Sequence, residues 1–195
     1  MVSAKKLCYV ALLTALNVAL SSFSVPVPGG HFYLNDIAIC FAALAFDPLS
    51  AFIVGGVGAF LGDFFFYPAP MFVSLASHGL QAVAISLISG GGKALKKGFL
   101  SAEKRELPRF YLAVAGLLTG MVIMVTGYTL GRAFVYATKE YAIIKLPFEI
   151  LQAGVGAVIA PILAYKTPLK KAFFAVNKKK EETQETPPEE NSEKN

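Results

Sequence analysis

The stretch from Met71 to Ser89 constrains the fold of this chain most, because its nineteen residues include no Asp, Glu, Lys or Arg. An uncharged apolar segment of this length can cross a bilayer as a helix. Its strongly polar side chains recur at helical spacing and therefore share one face: Ser74, Ser77, His78 and Gln81. Such a face is costly in lipid, so it needs partners from other helices, from water in a cavity or from a bound solute.

The composition predicts a polytopic membrane protein. Of the 195 residues, 55% are hydrophobic and only 16% are charged, whereas about a quarter of a soluble domain is charged. This length allows one compact bundle and no second folded domain. The two cysteines, Cys8 and Cys40, lie in apolar segments and form no CxxC pair, so neither a disulfide nor a metal site is predicted.

The apolar segments predict six membrane-spanning helices. They cover residues 7–24, 34–46, 49–66, 71–89, 111–137 and 142–165. Residues 25–32 hold two prolines and two glycines and predict an ordered loop. Residues 90–109 are rich in basic side chains and predict a polar loop.

The basic residues predict the orientation of the bundle. Of the 18 Lys and Arg, all but Arg132, Lys139 and Lys145 fall on the side of the two termini and the 90–109 loop. We therefore expect an all-α membrane protein, a six-helix bundle over residues 1–176 with both termini cytoplasmic. Residues 177–195 form a Lys/Glu/Pro tail that we expect to be disordered. The net charge of +5 reflects this topology and indicates no nucleic-acid partner.

Polar stripes on the last three helices would then meet at one depth in the outer half of the membrane. They consist of Ser74, Ser77, His78 and Gln81; Tyr128, Arg132 and Tyr136; and Lys145, Glu149, Gln152 and Gly156. Asn35, Asp36, Asp63, His31 and Tyr33 lie at the same level. This convergence predicts a cavity. The alternative is hydrogen bonding between helices, with Arg132 and Glu149 satisfying each other. His31 alone is more typical of a solvated loop residue than of a ligand.

The first helix carries a continuous stripe of small side chains. Its members are Ala4, Cys8, Ala11, Ala15, Ala19 and Ser22. Small residues let another backbone approach closely, so the stripe serves either packing within the bundle or docking of a partner subunit.

Common catalytic motifs are missing from the sequence. Gly90, Gly91, Gly92 and Lys93 lack the earlier Gly of a phosphate-binding loop, and Ala94 replaces its Ser or Thr. No HExxH helix or GxSxG elbow occurs either. The sequence therefore predicts no nucleotide hydrolysis, no metal site and no cofactor.

Several motifs in order resemble the substrate-binding S-components of energy-coupling factor (ECF) vitamin transporters. They are the Ala11, Ala15, Ala19 seam, the Pro/Gly loop leading to Tyr33, Asn35 and Asp36, the GGVGAFLGD run ending at Asp63, YPAPMF, HGLQ and PFEILQ. The resemblance covers residues 11–163 and is closest to the group that takes in riboflavin, pyridoxine and hydroxymethylpyrimidine-type compounds. Where that group often has Asn in the last motif, this chain has Glu149.

The resemblance implies a bacterial cytoplasmic membrane protein, not an enzyme, that captures a water-soluble vitamin or precursor from outside. It would dock through Ala11, Ala15 and Ala19 on a transmembrane coupling subunit and release the solute when two ATPases hydrolyse ATP. The expected solute contacts are His78, Gln81, Arg132, Glu149, Gln152, Asn35 and Asp63, with Tyr33, Tyr128 or Phe72 stacking on a ring. Glu149 in place of Asn favours a solute with an amine or protonatable ring nitrogen.

Two other functions stay open at this point. An autonomous secondary transporter would use Asp63, His78 and Glu149 as a proton relay, although the sequence shows no clear pair of inverted halves. A small membrane enzyme would use the same three residues for acid/base chemistry, but the sequence offers no nucleophile or metal cluster to support it.

Overall fold

The computed structural model describes residues 4–90 and 105–175, and these residues form a helical bundle. The predicted disordered tail and most of the 90–109 loop lie outside this part of the chain. The helices are α1 (Ala4–Ser22), α2 (Asp36–Ala45), α3 (Pro48–Phe66), α4 (Met71–Ser89), α5 (Phe110–Tyr136), α6 (Lys139–Lys166) and the short α7 (Leu169–Phe173).

Five of these helices, α1, α3, α4, α5 and α6, are long and apolar enough to cross a membrane. The prediction of an all-α membrane bundle is therefore confirmed, with five long apolar helices and one shorter one. The side of the membrane that each end faces stays a prediction.

The exception is α2, whose 10 residues rise only about 15 Å, half the thickness of a bilayer core. Asp36 at its start accepts a hydrogen bond from Gln81, in the middle of α4, at 2.8 Å. The carbonyl of Phe46, just after its end, accepts one from Ser86 in the last turn of α4 at 2.7 Å. The short helix is therefore level with the second half of α4 only, and almost every side chain on it is buried.

A β-hairpin occupies the level that α2 does not reach. Residues 25–32, predicted as an ordered loop, form strand β1 (Ser24–Val27) and the antiparallel strand β2 (Gly30–Tyr33). The turn needs glycine, because Gly29 has a φ of +80° and an added Cβ would lie 2.9 Å from the Cβ of Lys145 in α6. The hairpin thus packs against α6 and leads directly into α2.

At the opposite end, Arg105 joins the ends of α2 and α4. Its guanidinium donates hydrogen bonds to the carbonyls of Ala43 (3.2 Å), Phe46 (2.9 Å) and Ser86 (2.7 Å). Strand β3 (Arg105–Glu106) pairs with the parallel strand β4 (Phe174–Ala175), which follows α7. Burial lowers the pKa of the guanidinium to about 10, so it keeps its charge at neutral pH. The charge stabilises the carbonyl ends of both helices.

We expect Arg105→Ala to destabilise the protein by about 2 kcal/mol, because the helix-end carbonyls lose a charged donor. In detergent, this corresponds to a fall in Tm of roughly 4–8 °C. Arg109→Ala is the control, since Arg109 is exposed and its guanidinium bonds only the hydroxyl of Tyr111, at 3.2 Å, among the described residues. Equal decreases in Tm for the two variants would contradict the role of Arg105 in joining the ends of α2 and α4.

Candidate functional site

A cavity of about 290 Å³ opens at the hairpin end of the bundle. It lies where the hairpin meets the last turn of α3, the turn between α3 and α4, the C-terminal part of α5 and the first turn of α6. Its walls are Gly29, Gly30, His31, Tyr33, Asp63, Tyr67, Pro70, Tyr128, Arg132, Tyr136, Ala137 and Tyr141. The volume is at the lower end of the range of small-molecule sites.

Aromatic rings form much of the wall. The ring centroid of His31 lies 6.2 Å from that of Tyr33 and 5.8 Å from that of Tyr67. The guanidinium carbon of Arg132 lies 5.5 Å from the centroid of the Tyr136 ring. Both residues belong to a wide π-helical turn, Arg132–Tyr136, that ends α5, and such turns often occur at functional sites. The walls therefore suit a planar ring with polar substituents.

The polar groups of the wall include an acid and a phenol linked through one serine. Ser74 of α4 donates a hydrogen bond to Asp63, and the Tyr128 hydroxyl donates one to Ser74. Burial and the negative charge of Asp63 both raise the pKa of Tyr33, so its hydroxyl stays protonated at neutral pH. The wall thus offers a carboxylate and neutral phenols.

A closed hydrogen-bond network lies beneath the cavity, and we call it the floor network. Asp36 accepts one bond from Gln81 at 2.8 Å and another from Gln152 at 2.7 Å. His78 Nδ1 donates to the Gln81 side-chain oxygen at 2.7 Å, and the Tyr33 backbone N–H donates to the Gln152 oxygen at 3.0 Å. The four side chains are at most 4% exposed. The network ties the hairpin, α2, α4 and α6 together.

Two charged side chains of α6, Glu149 and Lys145, bond residues of the cavity wall on the side away from the cavity. Glu149 forms an ion pair with Arg132, and the Thr129 hydroxyl lies 3.4 Å from its carboxylate. Lys145, one turn earlier, donates a hydrogen bond to the backbone carbonyl of His31 at 2.7 Å. Arg132 and Glu149 thus contact each other, which was one of the two alternatives drawn from the sequence.

The structure divides the candidate residues into three groups. Those that line the cavity are Tyr33, Asp63, Tyr128 and Arg132. Those that are buried but outside its lining are Asn35, His78, Gln81, Glu149 and Gln152. Phe72 is 65% exposed and contacts Phe60, at 5.7 Å between centroids, rather than the cavity. A direct contact of any of these residues with a solute stays a prediction.

The cavity is also lined by aromatic residues that the candidate set left out: His31, Tyr67, Tyr136 and Tyr141. His31 Nδ1 and the Tyr136 hydroxyl are buried and have no hydrogen-bond partner among the described residues. Tyr136 continues the helical spacing of Tyr128 and Arg132, which was a usable signal. His31 lies in the hairpin and gives no periodic signal, so its burial could not be read from the sequence.

The small-residue stripe of α1 faces away from the bundle. Its members Ala4, Cys8, Ala11, Ala15, Ala19 and Ser22 are all exposed. The opposite face packs inward through Val10, Leu13, Asn17 and Ser21. Packing within the chain's own bundle therefore does not account for the stripe.

Comparisons with known proteins identify the family of this chain and a relative of the same fold. The model of the ECF-type riboflavin transporter S component matches residues 1–171. A protein of Pyrococcus woesei, described as an uncharacterized protein in the gap 3′ region, is 29% identical over 153 residues, 77% of this chain and 93% of its own length. A solved S component of a bacterial ECF transporter has the same fold, with a TM-score of 0.59 and 19% identity over 83% of this chain and 94% of its own. The chain belongs to the ECF-type riboflavin transporter S components, multi-pass membrane proteins that bind a vitamin for uptake and are not enzymes.

Proposed function

We propose that this chain captures a water-soluble vitamin or vitamin precursor in the cavity at the hairpin end and delivers it inward together with a coupling subunit and two ATPases. The observation that carries the proposal is the cavity itself, which is lined by Asp63, Arg132 and several aromatic rings and lies above a floor network whose hydrogen bonds are formed within the protein. The carboxylate of Asp63 and the guanidinium of Arg132 would bind polar groups of a solute, and the rings would stack on its planar part.

The floor of the cavity supports delivery with partners rather than by the chain alone. Below the floor network, the apolar side chains of Ile39, Leu44 and Ile85 are fully buried around α2. Within the described residues, the cavity therefore ends blind against a packed core. Release on the other side then requires the whole subunit to move or open, which a docked partner driven by ATP hydrolysis would provide.

The exposed face of α1 is the proposed docking site for the coupling subunit. Ala11, Ala15 and Ala19 present small side chains that would let a partner helix approach closely within the membrane. The excess of basic residues at the other end supports an outward-facing cavity. In this orientation the solute enters from outside, and α1 runs the full depth of the bundle beside the partner.

Enlarging the docking face tests this proposal. We expect Ala15→Leu to reduce uptake by cells that supply the coupling subunit and ATPases at least about tenfold, since a side chain three carbons larger blocks close helix contact. Solute affinity of the purified variant should be unchanged, because the stripe is remote from the cavity. The matched control is Ala115→Leu, the same change at an exposed position of α5. Full uptake by the Ala15→Leu variant would refute docking through this face.

A further inference from the structure

Resting on the proposed function, we infer that Asn17 of α1 is a positioning residue for the solute site, because it stabilises a wide turn in α3 that sets the orientation of Asp63 in the cavity wall. The helix proposed to dock on the coupling subunit therefore also holds part of the site. The inference rests on a backbone carbonyl in the wide turn, on the burial and reach of Asn17, and on the place of Asp63 after the turn.

The wide turn of α3 is π-helical and covers Ile53–Val57. The N–H of Gly58, the next residue, donates to the carbonyls of Ile53 and Gly55. It thus passes over the carbonyl of Val54, to which it would donate in a regular α-helix. Val54 is fully buried. A backbone carbonyl inside a membrane protein has no water to bond, so this one needs a donor from another helix.

Asn17 supplies that donor. Its Nδ2 lies 2.6 Å from the carbonyl oxygen of Val54 and 3.5 Å from that of Gly55, and the residue is 0% exposed. Glycine at position 58 permits the approach, because an added Cβ on Gly58 would lie 2.6 Å from Asn17 Nδ2. The side-chain amide of α1 therefore replaces the backbone N–H of α3 at the point where the helix widens.

The wide turn sets the orientation of the part of α3 that reaches the cavity. This part, Gly58–Phe66, is regular α-helix, and it contains Asp63, which lines the cavity and accepts a hydrogen bond from Ser74. A π-helical turn holds one residue more than an α-helical turn. Conversion of the turn to α-helix would rotate the part that follows by about 100° and shift it by about 1.5 Å. Asp63 would then leave the cavity wall.

The position of Asn17 connects the wide turn to the docking face. Asn17 is on the buried face of α1, whereas Ala11, Ala15 and Ala19 are on its exposed face. A partner that draws α1 away from α3 would withdraw the donor from Val54 and favour the regular helix. The solute would then lose Asp63. The alternative is that Asn17 only packs α1 against α3, and this alternative predicts no effect through Asp63.

Hydrogen exchange of the full-length protein in detergent tests the wide turn without any solute. Asn17→Ala should speed exchange of the backbone amides of residues 53–63 at least about tenfold, because the turn then interconverts between its two arrangements. Leu13→Ala is the matched control, since it truncates another buried side chain one turn earlier on the same face of α1. It should leave these amides within about threefold of the wild type. Equal exchange rates in the two variants would overturn the inference.

Calorimetry tests the link to Asp63. The probe is the compound that mass spectrometry finds retained on the purified protein, added back after its removal. Asp63→Ala and Asn17→Ala should each weaken binding at least about fivefold. In the Asp63→Ala protein, Asn17→Ala should weaken binding by less than about twofold more, because Asn17 acts through Asp63.

Two results of the titrations would overturn the inference. One is an equal effect of Asn17→Ala in the presence and absence of the Asp63 carboxylate, and the other is unchanged binding by Asp63→Ala. Failure of the proposed function is a separate result: a protein that retains no compound would count against solute capture, while the exchange rates would still decide whether Asn17 stabilises the wide turn.

Discussion

Glu149→Gln is expected to lower the Tm of the purified protein by on the order of 10 °C, because it leaves the buried guanidinium of Arg132 without its charge partner. Breaking a buried ion pair from one side costs about 3–5 kcal/mol. The solute affinity should fall as well, since Arg132 lines the cavity and Glu149 holds it from behind. Thermal unfolding in detergent and calorimetry measure the two effects.

Two further variants separate the structural role of the pair from its role in binding. Glu140→Gln removes the exposed acid in the first turn of the same helix and should leave Tm within about 2 °C. Replacing both Arg132 and Glu149 by Leu should recover much of the stability that Glu149→Gln loses, yet still bind poorly. A double variant that binds as well as the wild type would show that Arg132 contributes nothing to the solute site.

Asp36→Ala is expected to have an effect of similar size, about 3–4 kcal/mol of the free energy of unfolding, because two buried glutamine amides lose their acceptor. The Tm should fall by roughly 10 °C. Gln152 also holds the Tyr33 backbone, so the hairpin wall should loosen and solute affinity should decrease.

Asp36→Asn provides the graded comparison. The asparagine keeps one acceptor oxygen at the same position, and the glutamine amides can rotate to use its N–H₂ group, so about half of the stability loss should be recovered. Thermal unfolding of the two variants side by side measures this. Equal Tm values for Asp36→Ala and wild type would mean that the floor network does not hold the helices together.

The long helices could be predicted from the sequence because each is determined by its own residues, a long and mostly apolar run between residues that break helices. Met71–Ser89 is bounded by a Pro-rich turn and a glycine run and holds no charge, so its limits agree with the helix in the structure. The hairpin was not predicted, because its strands are short and β1 contains a proline, Pro26. Its position depends on contacts with Lys145 and Gln152, more than 100 residues away in the chain.

For the candidate site, the sequence indicated the depth in the membrane at which the polar side chains lie, but not which of them bond each other. Helical spacing placed His78, Gln81 and Glu149 at one level. In the structure His78 and Gln81 belong to the floor network, and Glu149 forms an ion pair with Arg132 of the cavity wall. Periodicity cannot show whether such side chains face a solute or bond each other, because that depends on the rotation of neighbouring helices. The short α2 brings Asp36 between Gln81 and Gln152, and these three side chains bond each other instead of lining the cavity. The lining includes Asp63, Arg132, His31 and several tyrosines.

The central claim is that the solute occupies the cavity at the hairpin end. The chain contains no tryptophan, so one introduced indole reports a single place. Tyr141→Trp puts the indole at the rim of the cavity, and Tyr111→Trp puts it at the opposite end of α5 on an exposed position. The measurement is the change in tryptophan fluorescence when the solute retained by the protein is added back. The account predicts a saturable change for Tyr141→Trp and none for Tyr111→Trp, and the reverse pattern would contradict it.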